Sequence, residues 1–284
     1  MRIDLHAHST ASDGTDTPAA LVRAAAAADL DVVGLTDHDT VAGHAAAAAA
    51  LPEGVTLVRG VELSCTWQDS SVHMLGYLFD PEEPEFAAER DRIREDRTRR
   101  ARAMVQRLRE LGAPVTWERV EQLAAGGAVG RPHVAAAMIE LGVVADVTGA
   151  FGEEWIGYGG RAYVRKYAVD PVRGVRLITA AGGAAVLAHP KASTRGASHP
   201  DALIVTLAGA GLFGIEVDHP DHDADARRHV AALARELGLA PFGSSDYHGA
   251  NKHVRLGTET TAPDVYEALL AATSGSPTVS APCQ

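Results

Sequence analysis

Short apolar runs alternate with helix-like runs along most of this chain, and the apolar runs keep ending in histidine or aspartate. "RIDLHAH" (2–8) reads as a strand, and "TPAALVRAAAAADL" as a helix with Thr17 as N-cap and Pro18 in its first turn. "DVVGLTDHD" is a second strand and "TVAGHAAAAAA" a second helix. "TLVRGVELSCTW" and "SVHMLGYLF" read as strands joined into a hairpin by the polar turn "QDSS". After a long helical stretch the alternation resumes. The strands are then "RAYV", "AAVLAHP", "LFGIEVDHP" and "APFGSSDYH"; the helices are "DPVRGVRLITAAGG", "PDALIVTLAGAG", "ADARRHVAALARELG" and "APDVYEALLAAT". Repeated β-α units make a closed barrel or an open doubly wound sheet, and both gather ligands at the carboxyl ends of strands.

The interruption begins at "PEEPEFAAERDRIREDRTRRARAMVQRLREL" and brings no strand until about residue 162. It reads as an α-helical insertion over 81–160, dividing a barrel domain of 1–80 and 161–284. The chain has 284 residues and is 46% hydrophobic, enough for a full core without disulfides. Only Cys65 and Cys283 are present, and no apolar run reaches the roughly 18 residues of a membrane span. A cytoplasmic setting without a leader or membrane anchor is therefore expected. The net charge of −11 argues against duplex DNA as a partner, because nonspecific duplex binding needs a broad basic surface.

Residues two apart on a strand share a face, so His6 and His8 point the same way, with Asp13 on the turn beyond. Similar residues recur at later strand ends: His38, His189, Asp218 with His219, and Asp246 with His248. Glu62 and His73 lie on the hairpin. Imidazoles and carboxylates converging in this way make a metal site.

The series "DLHAHSTASDG", "GLTDHDTVAG", "GVELS", "HMLGYLFD", "GRPHVA", "AHP", "GIEVDHP" and "GSSDYHG" resembles, in order, the motifs of the PHP (polymerase and histidinol phosphatase) superfamily. The resemblance implies a distorted seven-stranded β/α barrel with an inserted α-helical domain, and two to three divalent transition metals at the strand ends. The ligand positions it carries over are His6, His8, Asp13, His38, Glu62, His73, His189, Asp246 and His248, with Glu62 bridging two metals. Mixed imidazole and carboxylate sites suit Mn, Fe or Zn better than Mg. "GRPHVA" resembles the stand-alone branch that acts on nucleotides. That implies hydrolysis of the 3′-phosphate of nucleoside 3′,5′-bisphosphates, or of short 5′-phosphorylated single-stranded RNA in the 5′-to-3′ direction. A metal-activated hydroxide would attack, with Asp13 and His38 beside it and no protein nucleophile. Arg97, Arg100, Arg131, His133, Lys191 and His219 are the candidate phosphate and substrate contacts, the insertion acting as a lid. The resemblance names no general acid and no oligomeric state.

Other polar residues read more plainly. Asp4 and Asp37 are expected to orient ligands, and Asp39 to orient a ligand, bind substrate or cap a helix. His44, His199, His222, His229 and His253 are expected at the surface, and Cys65 in the core. Competing readings are a histidinol-phosphatase-like enzyme, a binding module on a degenerate PHP domain, and an amidohydrolase-like enzyme. The last commonly needs a carboxylated lysine on a central strand, and only Lys166, Lys191 and Lys252 exist.

Overall fold

The structure, a computed structural model, describes residues 1–68, 70–124, 129–192 and 198–281; Cys283 lies outside them. The chain forms two compact units, Met1–Arg90 with Ala168–Gln284, and Asp91–Tyr167.

The first unit is a nearly closed barrel. Its strands are β1 (Ile3–Asp4), β2 (Val32–Leu35), β3 (Thr56–Trp67), β4 (Ser70–Tyr77), β5 (Ala184–Leu187), β6 (Gly214–Asp218) and β7 (Ala240–Gly243), hydrogen-bonded in chain order. Closure comes from the backbone beyond β1 and β7: Ala7 bridges Tyr247 in parallel, and His8 N–H donates to Tyr247 O at 2.8 Å. All neighbours are parallel except β3–β4 and β4–β5. The hairpin causes this: β3 turns straight back into β4 with no crossover helix. The start of β4 therefore lies at the carboxyl end of the other strands. A short β8 (Val279–Ser280), which the sequence pattern does not signal, pairs with β3.

Helices α1 (Pro18–Ala27) and α2 (His44–Ala49) follow β1 and β2. Thr17 caps α1 as expected, its hydroxyl accepting from Ala20 N–H at 3.1 Å. Leu21, Val22 and Ala25 of α1 pack on Val33, Leu35 and Leu57 of the sheet. The helix α3 (Pro84–Glu110) leads into the second unit, where α4 (Trp117–Leu123), α5 (Arg131–Glu140) and α6 (Val147–Ala150) enclose a separate core of Met104, Leu108, Val120, Val134, Met138 and Ile156. The barrel resumes with α7 (Pro171–Ala180), α8 (Asp201–Gly209) and α9 (Ala224–Leu237), and ends with α10 (Pro263–Ala272).

Two strand expectations change. "RAYV" is not a strand: the Val164 carbonyl accepts from Arg100 Nε at 2.6 Å and that of Tyr163 from the Arg107 guanidinium, so side chains take the place of a neighbouring strand. β1 has only two residues, because past Asp4 the chain leaves the ladder and turns its imidazoles inward.

No described helix is long and apolar enough to cross a membrane.

Candidate metal centre

All nine residues expected as ligands meet at one end of the barrel, each placed by a strand end or by the reversed strand. His6 and His8 follow β1, His38 follows β2, His189 follows β5, and Asp246 and His248 follow β7. Glu62 lies within β3. His73 is opposite Ser64 and Glu62 opposite Leu75, so His73 and Glu62 share a face of the hairpin. Asp13 sits on a loop that curls back onto the backbone of His8. A Cβ on Gly14 would stand 2.3 Å from His8 O, so only glycine permits that approach.

Three overlapping groups of donor atoms result. In the first, His6 Nε2 and His8 Nε2 are 3.0 Å apart. Glu62 Oε2 lies 3.3 Å from the former and 3.0 Å from the latter, and Asp246 Oδ1 lies 3.3 and 3.4 Å away. The second surrounds Asp13, with His8 Nδ1 at 3.6 Å, His38 Nε2 at 3.7 Å and His248 Nε2 at 3.4 Å. The third surrounds Glu62, with His38 Nδ1 at 3.2 Å from Oε2 and His73 Nδ1 at 2.7 Å from Oε1. His189 Nε2 joins at 3.1 Å from Oε1. Glu62 is fully buried and belongs to two groups, the position expected of a bridging carboxylate.

The donor set fits a divalent cation. His38 Nδ1, His73 Nδ1 and Glu62 Oε2 are buried and make no hydrogen bond, although they face one another closely. Buried polar atoms without a partner are costly, and lone pairs converging on one point are what a cation satisfies. Charge agrees. Burial opposes ionisation of Glu62, yet His38, His73 and His6 hold its carboxyl well below the usual range. Burial likewise opposes ionisation of Asp13, and His38 and His248 hold it down. Burial pushes His38 well below its ordinary value, favouring the neutral imidazole a metal requires.

One supporting residue escaped the sequence reading. Glu216, fully buried on β6, accepts from His6 Nδ1–H at 2.9 Å, from His189 N–H at 2.7 Å and from the Ser244 hydroxyl. Burial alone would raise its carboxyl, but His6 beside it holds it near 2. The signal was available: a charged residue in the middle of an otherwise apolar strand, "GIEVD", is rarely buried without a partner.

The remaining polar residues fall into place. Asp4 accepts from the N–H groups of Ser245 and Gly257, and Asp37 from Ser9 N–H and the hydroxyls of Ser9 and Ser12. Asp4 also accepts from His6 N–H at 3.4 Å, so it holds the backbone of a ligand residue, and Asp37 fixes the loop of Ser9 and Ser12. Asp39 caps no helix; it accepts from Ser64 N–H and Oγ, tying β2's end to β3. His44, His199 and His222 are buried, contrary to expectation. His44 Nε2 bonds Gly60 O at 2.8 Å, and His222 accepts from Lys191 N–H and donates to Val217 O. His229 and His253 are exposed. His219 is buried with Nε2 3.4 Å from Asp246 Oδ2. The Lys191 ammonium is held by His199 O and Asp201. Cys65 is buried in the core, as expected. No described strand contains a lysine, so a carboxylated strand lysine has no place among them.

In the second unit, Arg97, Arg100 and Arg131 are gathered. Burial, and then Arg131 and Arg97, lower the Arg100 guanidinium to about 10. The Arg131 guanidinium lies 5.0 Å over the Phe151 ring. His133 Nδ1 accepts from Gly130 N–H at 3.1 Å, closing the start of α5.

A barrel with a cradle of imidazoles and carboxylates at its strand ends defines a metal-dependent hydrolase. A model of the PHP domain matches residues 4–114. The chain is 34% identical to a 5′-3′ exoribonuclease of Haemophilus influenzae over 257 residues, 90% of this chain and 93% of that one. It is 36% identical to a 3′,5′-nucleoside bisphosphate phosphatase of Chromobacterium violaceum over 87% of each. A structure from Bifidobacterium adolescentis, assigned as a metal-dependent phosphoesterase, superposes with a TM-score of 0.88 at 31% identity, covering 96% of both chains. An amidohydrolase structure from C. violaceum, with bound sulfate and no metal, gives 0.84 at 32% identity, covering 96% of this chain and 98% of that one. The chain belongs to the PHP family, and it is a metal-dependent phosphoesterase.

Proposed function

We propose that this enzyme removes the 3′-phosphate of nucleoside 3′,5′-bisphosphates and degrades short 5′-phosphorylated RNA from its 5′ end, using two to three Mn, Fe or Zn ions. The observation that carries the metal half is the convergence of His38 Nδ1, His73 Nδ1 and Glu62 Oε2, none hydrogen-bonded, at a carboxylate common to two donor groups. The nucleotide half rests on identity above 30% to a bisphosphate phosphatase and an exoribonuclease over most of their lengths.

Bound metals would supply Lewis acidity toward the phosphoryl oxygens and lower the pKa of water. His6, His8, Asp13, His38, Glu62, His73, His189, Asp246 and His248 would hold them. The accessible edge of the cradle is Asp13 and His73, whose side chains are 28% and 19% exposed while Glu62 and His6 are fully enclosed. The scissile phosphoryl group therefore meets the cradle beside Asp13, His38 and His73. The Arg97, Arg100 and Arg131 guanidiniums, with His133, would bind a second phosphate, and that remote binding orients the reacting group. The 81–160 segment would then act as the specificity domain. His219, buried beside Asp246, would contact substrate.

The test is phosphate release, measured as kcat/KM, from nucleoside 3′,5′-bisphosphates, 5′-phosphorylated RNA oligomers, histidinol phosphate, a phosphoribosyl cyclic phosphate and an aryl phosphate. The panel includes the cyclic phosphate because a phosphoribosyl 1,2-cyclic phosphate diphosphodiesterase of Eggerthella lenta is 34% identical over 251 residues. The highest value should fall on a bisphosphate or RNA. A preference for histidinol phosphate or the cyclic phosphate would reject the proposed substrate.

A further inference from the structure

We propose that Lys252 is a positioning residue for the metal cradle, holding Asp246 so that one carboxylate oxygen faces the imidazoles and the other cannot. The inference rests on the reading of the cradle given above, and it concerns a residue that the ligand set leaves out.

The two oxygens of Asp246 have different surroundings. Oδ1 faces inward, 3.3 Å from His6 Nε2, 3.4 Å from His8 Nε2 and 3.4 Å from His248 Nδ1. Oδ2 faces away and accepts from Lys252 Nζ at 2.5 Å. The same ammonium lies 3.2 Å from Asp246 O, so it grips the residue by both its carboxylate and its backbone carbonyl. His219 approaches Oδ2 from the other side at 3.4 Å. The Nδ1 of His219 accepts from Asp221 N–H at 3.0 Å, which fixes the ring, while its Nε2 makes no hydrogen bond.

The backbone gives Lys252 further work. Asp246 has φ of 53°, a left-handed conformation that costs energy for an aspartate and persists only where its surroundings impose it. A hydrogen bond to its carbonyl from six residues onward is such a restraint.

Two effects of the ammonium oppose each other. Its charge repels a cation in the cradle, and its hydrogen bonds orient a ligand of that cation. Orientation should win. The charge is paired with Asp246 itself, and the lysine side chain is 25% exposed, so solvent screens what remains. Losing a partner that orients a ligand costs about 10- to 100-fold in metal affinity.

The experiment is titration of chelator-stripped full-length protein with Mn²⁺, reading free Mn²⁺ by electron paramagnetic resonance, for the unaltered chain, Lys252→Met and Lys252→Arg. Lys252→Gln replaces the methionine variant should that one not fold. The expected result is Mn²⁺ affinity about 10- to 100-fold weaker in Lys252→Met and largely restored in Lys252→Arg. Phosphatase activity of Lys252→Met should recover as Mn²⁺ is raised, which a merely structural defect would not allow. Affinity in Lys252→Met equal to or tighter than that of the unaltered chain overturns the proposal, as does an arginine variant no better than the methionine one. Absence of Mn²⁺ binding by the unaltered chain would overturn the cradle itself, a result distinct from the other two.

Discussion

A neutral imidazole carries one N–H, and at His6 the carboxylate of Glu216 takes it. Nδ1 donates to Glu216 at 2.9 Å, so Nε2 presents its lone pair to His8, Glu62 and Asp246. Glu216→Gln should therefore weaken metal retention about 10- to 100-fold without unfolding the barrel, measured by dialysis against a graded chelator. Unchanged retention would remove Glu216 from the site. Protons compete at His8. Burial disfavours its charge, but the Asp246 and Glu62 carboxylates, 3.4 and 3.0 Å from Nε2, push its pKa up to about 9 when no cation is bound. This raised value stabilises the cation-free fold below the free imidazole pKa of about 6.5, and that contribution is lost as pH rises through about 9. Metal uptake at pH 7–8 should then release protons, and affinity should climb with pH. Calorimetry in buffers of different ionisation enthalpy measures the release; none would contradict the assignment of His8. Arg131→Ala should cost about 30- to 1000-fold in kcat/KM on a bisphosphate, on the order of 2–4 kcal/mol, and spare an aryl phosphate. Equal losses on both substrates would give Arg131 a structural role instead. The histidines near strand ends were legible in sequence because strand period and position fix where they point. The burial of His44, His199 and His222 was not, because their partners, such as Gly60 O for His44, come from elsewhere in the chain.

The element that shapes the site is the hairpin. Because β4 runs against β3, a residue near its start joins residues near the ends of other strands, which is how His73 reaches Glu62. The bounds of β3 and the reversal into β4 were readable from two long alternating runs around a polar turn. The short strands were readable only in part. β1 and β2 are brief because the chain beyond them supplies the loops that hold His6, His8 and His38, and a hydrophobic pattern does not reveal where a ladder gives way to such a loop. The close approach of β1 and β2 gives a direct test. A Cβ on Gly34 would stand 2.1 Å from Leu5 O, a backbone atom that cannot turn aside. Gly34→Val should destabilise the barrel by more than about 2 kcal/mol in urea unfolding and lower metal content with it. A variant as stable as the parent would mean that this strand pair is looser than described.

Across the whole molecule, charge is divided unevenly. The unit Asp91–Tyr167 carries 13 of the chain's 26 lysines and arginines but only 10 of its 37 acids, so it is net +3 and the barrel unit net −14. An anionic substrate therefore needs local cations to offset the acidic barrel unit. KM for a 5′-phosphorylated RNA oligomer should rise steeply between low and physiological salt, and KM for an aryl phosphate much less, because more phosphates exchange more counterions. Parallel salt slopes for both would argue that the arginine-rich unit takes no part in binding. The division into a barrel and a helical insertion was visible in the sequence, since charged helical periodicity replaces the strand alternation. The measurement that bears most directly on the metal-dependent chemistry is elemental analysis paired with phosphate release from a nucleoside 3′,5′-bisphosphate, before stripping, after stripping and after Mn²⁺ is restored. The expected result is about two to three transition metals per chain, with release lost on stripping and regained with Mn²⁺. Fewer than about one metal per chain after reconstitution, or release that survives stripping, would contradict it.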